Sequence, residues 1–215
     1  LVYLLLINKV ISTDIMKKIA LTLLIASSIS VFGQAKKGKE PKMANTMVPG
    51  YYVNQKGDTV KGTIALDSED ETAIYKGFSI KIGNGKPTAI TTKKAKAYGF
   101  DGRNFTVLPF DDGEVYIEYL TKGRLNFCEY RFMGKINGEP GIESVFFIQD
   151  SQADPKNADL KTFKQFKTMF YKKEVKDYFN DQPQIWSDFD KFVFDKTKFA
   201  ASVKEFNKFY ETAAE

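Results

Sequence analysis

The stretch Gly50–Ile64, GYYVNQKGDTVKGTI, constrains the fold more than any other, because it reads as two strands around a tight turn. The loop is Gln55-Lys56-Gly57, and Gly57 supplies the φ > 0 position that closes a three-residue hairpin without strain. In the second strand Val60, Gly62, Ile64 and Leu66 share one face, and Thr59, Lys61, Thr63 and Ala65 the other, as a half-buried strand requires. Turn and strand signals then recur at short spacing. An acidic turn, Asp67 to Glu71, precedes expected strands at Thr72–Tyr75 and Phe78–Ile82. The turn Gly83-Asn84-Gly85-Lys86-Pro87 leads to Thr88–Thr92, and Ala97–Phe100 meets an Asp101-Gly102 turn. Phe105–Phe110 runs to Asp111-Asp112-Gly113, Glu114–Leu120 and Arg124–Phe132 flank Thr121-Lys122-Gly123, and Ile142–Gln149 is the last strong strand.

No useful helical period interrupts residues 50–150, so neighbouring strands are expected to pair antiparallel, in a barrel or a sandwich. In Arg124–Phe132, Leu125 and Phe127 share one face while Cys128, Tyr130 and Phe132 share the other. Both faces are partly apolar, so a second layer must cover one of them, and the C-terminal residues 151–215 are the candidate. There a helical pattern begins near Leu160, with Leu160, Phe163, Phe166 and Phe170 on one arc and Lys161, Lys164 and Lys172 opposite. A second helical stretch covers Glu174–Phe179. A third restarts at Asp181-Gln182-Pro183-Gln184, with Asp181 as N-cap, Gln184 reaching back, and the stripe Ile185, Phe189, Phe192, Val193. The last helix, about Thr197 to Glu211, carries Phe199, Val203, Phe206 and Tyr210. The expected class is α+β: a mainly antiparallel β barrel or sandwich followed by a C-terminal helical segment packed on it.

The N-terminus points to export. The chain opens on Leu1, and Met16 heads the better start, so residues 1–15 are expected to be upstream translation. Lys17-Lys18 forms a positive n-region, Ile19 to Ile29 a short apolar h-region, and Val31-Phe32-Gly33 a cleavage signal between Gly33 and Gln34. The apolar run falls short of the roughly 20 residues of a membrane span, and no cysteine follows it for lipidation. Residues 34–49, with their lysines and two prolines, read as a flexible linker.

Composition excludes more than it assigns. The 215 residues contain no histidine and one cysteine, Cys128. That removes Ser-His-Asp and Cys-His catalysis, histidine-containing zinc sites, Cys-pair redox chemistry and an intramolecular disulfide. The net charge of +5 includes +2 from residues 1–33, and the lysines are scattered among acids, unlike the basic stripe of a nucleic-acid binder. Carboxylates are the remaining acid–base groups that cluster. Asp111-Asp112-Gly113-Glu114 and Asp67 to Glu71 lack the alternate ligand spacing of a calcium loop, and acidic β-turns of this kind satisfy their own backbone. Cys128, between Phe127 and Glu129 and near Tyr130, reads as a small buried core residue. No catalytic residue, metal ligand or cofactor is expected.

The opening hairpin, with Gly50, Tyr51, Val53, Gly57, Asp58, Thr59, Val60, Gly62 and Ile64, resembles a family of exported β-rich proteins from Bacteroidetes. Gly99-Phe100 with Asp101-Gly102, Tyr119-Leu120 before Gly123, and Tyr178-Phe179 before Pro183 continue the likeness. The resemblance implies an envelope or periplasmic location, or secretion, and a β-rich architecture. It supplies no catalytic residue. The functional expectation is a non-catalytic exported module that binds a partner protein or a surface glycan. A hydrolase relying on carboxylates alone, and a peripheral membrane protein using the Leu160 segment, are the alternatives.

Overall fold

The computed structural model describes residues 46–67, 69–189 and 193–212. The expected upstream residues 1–15, the signal segment 16–33 with Gly33 and Gln34, the linker as far as residue 45, and Phe192 lie outside the described residues. So does the side chain of Phe189.

Among the described residues there are ten strands: β1 (Thr46–Asn54), β2 (Thr59–Leu66), β3 (Gly77–Lys81), β4 (Thr88–Thr91), β5 (Ala95–Phe100), β6 (Arg103–Phe110), β7 (Gly113–Thr121), β8 (Leu125–Ile136), β9 (Glu139–Asp150) and β10 (Lys164–Phe166). They pair antiparallel in one sheet, ordered β10-β9-β8-β7-β6-β5-β1-β2-β3-β4. Three helices follow, α1 (Tyr171–Val175), α2 (Pro183–Phe189) and α3 (Lys196–Thr212). The α+β class and its helical C-terminal segment are therefore as the sequence indicates.

The opening hairpin forms with the expected turn. Gly57 has φ +98°, its N–H donates to the Asn54 carbonyl at 3.0 Å, and the Asn54 N–H donates to the Asp58 carbonyl at 2.9 Å. The strand begins four residues earlier than the linker boundary implied, however, since Thr46 to Pro49 pair with Leu66 to Thr63. Pro49 is tolerated because β1 gains its second neighbour, β5, only from Gly50 onward.

Two segments differ from the sequence reading. Thr72–Tyr75 is no strand: residues Ala73–Tyr75 form a 3-10 turn. Asp70 causes it, its Oδ1 accepting both the Thr72 N–H at 2.9 Å and the Thr72 hydroxyl at 2.6 Å, which winds the chain locally. The Leu160 helix is also absent. Pro155–Lys161 is a 3-10 segment, and Lys164–Phe166 becomes β10 against Ile148–Phe146 of β9. The open edge of β9 offers backbone partners that a short helix cannot match, so tertiary pairing overrides the local period. Phe163 and Phe166, placed together on a helix, diverge as a result. Phe163 approaches Tyr119 (ring centroids 6.1 Å apart), while Phe166 packs under the helices with Phe127 and Phe199.

Ring distances show that the sheet curls. Four strands separate β3 from β7, which on a flat sheet corresponds to about 24 Å, yet the Phe78 and Tyr116 rings are 6.1 Å apart. Tyr98 stacks between Phe78 (4.2 Å) and Phe105 (4.4 Å), and its hydroxyl donates to the Ile74 carbonyl. These residues, with Ile64, Ile80 and Ile90, make a first core inside the curl. A second core lies between β8–β10 and the helices, where Leu125, Phe127, Phe146 and Ile148 meet Phe199, Val203 and Phe206 of α3. The expected α3 stripe is thus buried. Ile185 of α2 is buried too, but Val193 is 91% exposed and leaves the stripe.

The two cores adjoin where β7 meets β8, and this pairing is short. Only Glu118↔Glu129, Tyr119↔Cys128 and Thr121↔Phe127 are partners, with an irregularity at Leu120. Beyond it, Asn207 of α3 takes the place of a strand. Its Oδ1 accepts the Leu125 N–H and its Nδ2 donates to the Leu125 carbonyl, both at 2.8 Å and both buried. Replacing Asn207 with Leu strands both main-chain groups, and we expect a loss of roughly 2–5 kcal/mol in urea unfolding. An unchanged midpoint would show that Asn207 does not hold α3 to the sheet.

Candidate functional site

Two carboxylates largely withdrawn from water face each other at the β7–β8 seam. Glu118 and Glu129 are register partners on one face, an arrangement that is repulsive unless each carboxylate is neutralised. Each one is. Glu118 Oε1 accepts Arg103 Nε at 2.7 Å, and Oε2 accepts Arg103 Nη2 at 2.6 Å and the Tyr75 hydroxyl at 2.9 Å. Glu129 Oε1 accepts the Ser144 hydroxyl at 2.7 Å and Lys196 Nζ at 3.1 Å, and Oε2 accepts Lys196 at 3.0 Å. The two carboxylate side chains are 12% and 3% exposed, so these donors stand in for water. Burial and then the Glu118 charge push the Tyr75 hydroxyl far above its usual range, so it stays a donor. Arg103 also lies over the Phe100 and Phe105 rings at 5.3 and 5.1 Å. Beside them, Arg131 Nη1 and Nη2 hold Glu71 at 2.8 and 2.9 Å.

A general acid or base needs an oxygen that can reach substrate. Here both oxygens of both carboxylates are already engaged by protein donors. Facing carboxylates, the arrangement a carboxylate-only hydrolase would require, are therefore present and committed to the fold. Lys196→Met removes the cation from a buried carboxylate already opposed by Glu118, with an expected cost of about 2–4 kcal/mol. Adding Glu129→Gln should restore most of it. If the double variant is as unstable as the single one, the seam is not balanced in this way.

The structure puts the sequence candidates to structural use. Asp111 (φ 49°) opens the β6–β7 turn. Asp67 Oδ1 accepts the Glu69 and Asp70 N–H groups at 2.9 and 3.3 Å. Asp181, expected as an N-cap, gives its Oδ2 to Arg124 Nη2 at 2.6 Å and to the Tyr210 hydroxyl at 3.0 Å. The Arg124 hydrogen bond holds its carboxyl below the usual 3.8. Arg124 also reaches Asp150 at 3.3 Å and stacks 3.9 Å from the Tyr210 centroid, tying β8 and β9 to the last helix. Cys128 is fully buried, and burial followed by the Glu118 charge raises its thiol well above the ordinary value. We expect no reaction with a thiol reagent in the native state even at mildly alkaline pH, and full reaction in urea. Rapid native labelling would contradict this.

The residues of the opening motif prove architectural. Tyr51 pairs across the strands with Gly99, and its hydroxyl donates to Asn104 Oδ1 at 2.6 Å. A Cβ at Gly99 would sit 2.8 Å from the Tyr51 ring and 2.7 Å from the Arg103 carbonyl, so the ring occupies the missing side chain's place. These residues line a cavity of about 300 Å³ beside Lys61 and Arg103. A second cavity of about 400 Å³ lies between the 3-10 turn at Ala73–Tyr75 and strands β3 and β4.

Two apolar surfaces complete the inventory. By register, Leu108, Phe110, Tyr119, Phe132 and Val145 lie on the face of β6–β9 opposite the seam carboxylates, and all are half-buried. At the other surface Met169, Phe170 and Val193 are 83%, 52% and 91% exposed. Sequence reasoning placed Phe170 and Val193 on buried stripes and passed over the seam. The available signal was a charge at an inward strand position, Glu129 sharing the face of Leu125 and Phe127. Comparison with protein-family models, with curated proteins and with solved structures returned no match.

Proposed function

We propose that the chain is exported and acts as a non-catalytic binding module whose contact surface is the face of β6–β9 opposite the seam carboxylates. The observation that carries this reading is the half-buried layer of Leu108, Phe110, Tyr119, Phe132 and Val145, which surrounds buried Ile117, Cys128 and Phe147 on a sheet face with no α-helix packed on it among the described residues. Apolar side chains left half in water on a rigid sheet gain most when a partner completes their burial. A partner protein suits the surface better than a glycan. Sugar platforms present the open face of a ring, whereas these rings are packed against neighbouring rings, Phe132 stacked on Tyr130 and Phe110 tilted or edge-on to its neighbours, and mixed with aliphatic residues. Phe110, for example, lies 5.2 Å from Tyr130 and 5.9 Å from Phe147. The engaged carboxylates of the seam favour binding over hydrolysis.

Export rests on residues 16–33 and on the resemblance of the opening hairpin. Two measurements test the proposal together. N-terminal sequencing of the mature protein is expected to begin at Gln34, and a chain still beginning before Met16 would refute export. A photo-crosslinking residue at Phe132 should trap one discrete envelope protein in cells, while the same probe at Glu205 on α3 should not. Equal trapping at both positions, or none at Phe132, would end the contact-face assignment.

A further inference from the structure

The exposed apolar tip at Met169, Phe170 and Val193 lies in a separate region from the proposed contact face and is built differently. Thr168 to Lys173 with Val193 and Phe194 frame a shallow depression of about 470 Å³. The tip is a fixed turn. The Phe170 N–H donates to the Lys167 carbonyl at 2.9 Å, and the Lys173 and Glu174 N–H groups donate back to the Phe170 carbonyl at 2.9 and 3.1 Å. Glu174 turns its Oε2 to the Lys167 N–H at 2.8 Å and so serves the turn. Behind the tip, buried Tyr171 packs against Phe194 at 5.3 Å and anchors it to the second core. Three large apolar side chains are thereby held out in water on a rigid base.

Among the described residues the exposed cations beside them are Lys167 and Lys173, in the same turn, while Glu174 and Asp195 each give a carboxylate oxygen to a backbone N–H, those of Lys167 and Lys198. Apolar side chains at the centre with lysines around them match a lipid surface bearing negative headgroups. The apolar groups enter the acyl boundary, and the ammonium groups remain at headgroup level. A protein partner of the same area would have to bury or pair those lysines. We infer that this tip docks the protein on an anionic membrane surface, lying on the bilayer without crossing it. No described helix is long and apolar enough to span.

The test compares the full chain with variants of itself, so that any contribution from the apolar residues before position 34 cancels. Flotation with phosphatidylcholine vesicles containing phosphatidylglycerol should recover the parent chain, with less recovery as salt is raised. Met169→Ser, Phe170→Ser and Val193→Ser together should weaken vesicle binding about tenfold or more, with an unchanged urea midpoint because these side chains are already exposed. Lys167→Gln with Lys173→Gln should remove the preference for phosphatidylglycerol over pure phosphatidylcholine. Equal flotation of the triple-serine variant would overturn the inference. So would a concentration-dependent dimer of the parent chain that the serine variant lacks, because the tip would then be an interface between two copies. Neither outcome bears on the Phe132 crosslink, so the two proposals stand or fall separately.

Discussion

The architecture depends on a short seam. β7 and β8 share three residue pairs and then part, while β8 and β9 carry both cores, Cys128, Tyr130 and Phe147 facing the first and Leu125, Phe127, Phe146 and Ile148 the second. Two elements outside the sheet converge on that gap. The 3-10 turn brings Tyr75 between the Phe105 and Tyr130 rings, 5.8 and 5.9 Å away, and its hydroxyl to Glu118. Helix α3 arrives from the opposite core with Lys196 for Glu129 and Asn207 for Leu125. The charges are there because strand pairing is incomplete: polar side chains supply the cross-links that a longer ladder would have supplied from the backbone.

This explains why the strongest electrostatic feature has a structural role. Buried ion pairs cost desolvation energy that is recovered only when the geometry is good and each carboxylate oxygen finds a donor. Glu118 and Glu129 meet that condition with Arg103, Tyr75, Lys196 and Ser144. A site made for proton transfer would keep one oxygen open toward solvent. Two apolar surfaces lie apart from this network, the β6–β9 face opposite the carboxylates and the tip at Met169, Phe170 and Val193.

Much of the β region was legible locally. Gly57 after Gln55-Lys56, and Asp101-Gly102 with φ of 48° and 76°, are turns fixed by which residues accept positive φ, and period-2 alternation names their flanking strands. The β8–β9 hairpin belongs in the same class. Its Asn137-Gly138 turn, with φ of 54° and 90°, was as plain a signal as any, and reading it would have extended β8 to Ile136 and begun β9 at Glu139. The Leu160 segment was not legible in this way. Phe163, Phe166 and Phe170 fit a helical arc, and only the free edge of β9 decides for a strand. Glu118 facing Glu129 is likewise invisible without the register.

What the sequence determined by itself is the set of local conformations and the chemistry ruled out. Turn glycines and aspartates place the hairpins, alternation sets strand faces, the Phe199-Val203-Phe206 stripe marks α3, and the absence of histidine removes whole classes of catalysis. The tertiary structure alone decided the curl that brings Phe78 to Tyr116, the early end of the β7–β8 ladder, the pairing of each buried carboxylate with its cation, and the exposure of Met169, Phe170 and Val193. The physical reason is one of range. Backbone preference and side-chain period act over a few residues and are written in order along the chain. Burial and charge compensation depend on partners such as Glu129 and Lys196, 67 residues apart, which meet only after folding.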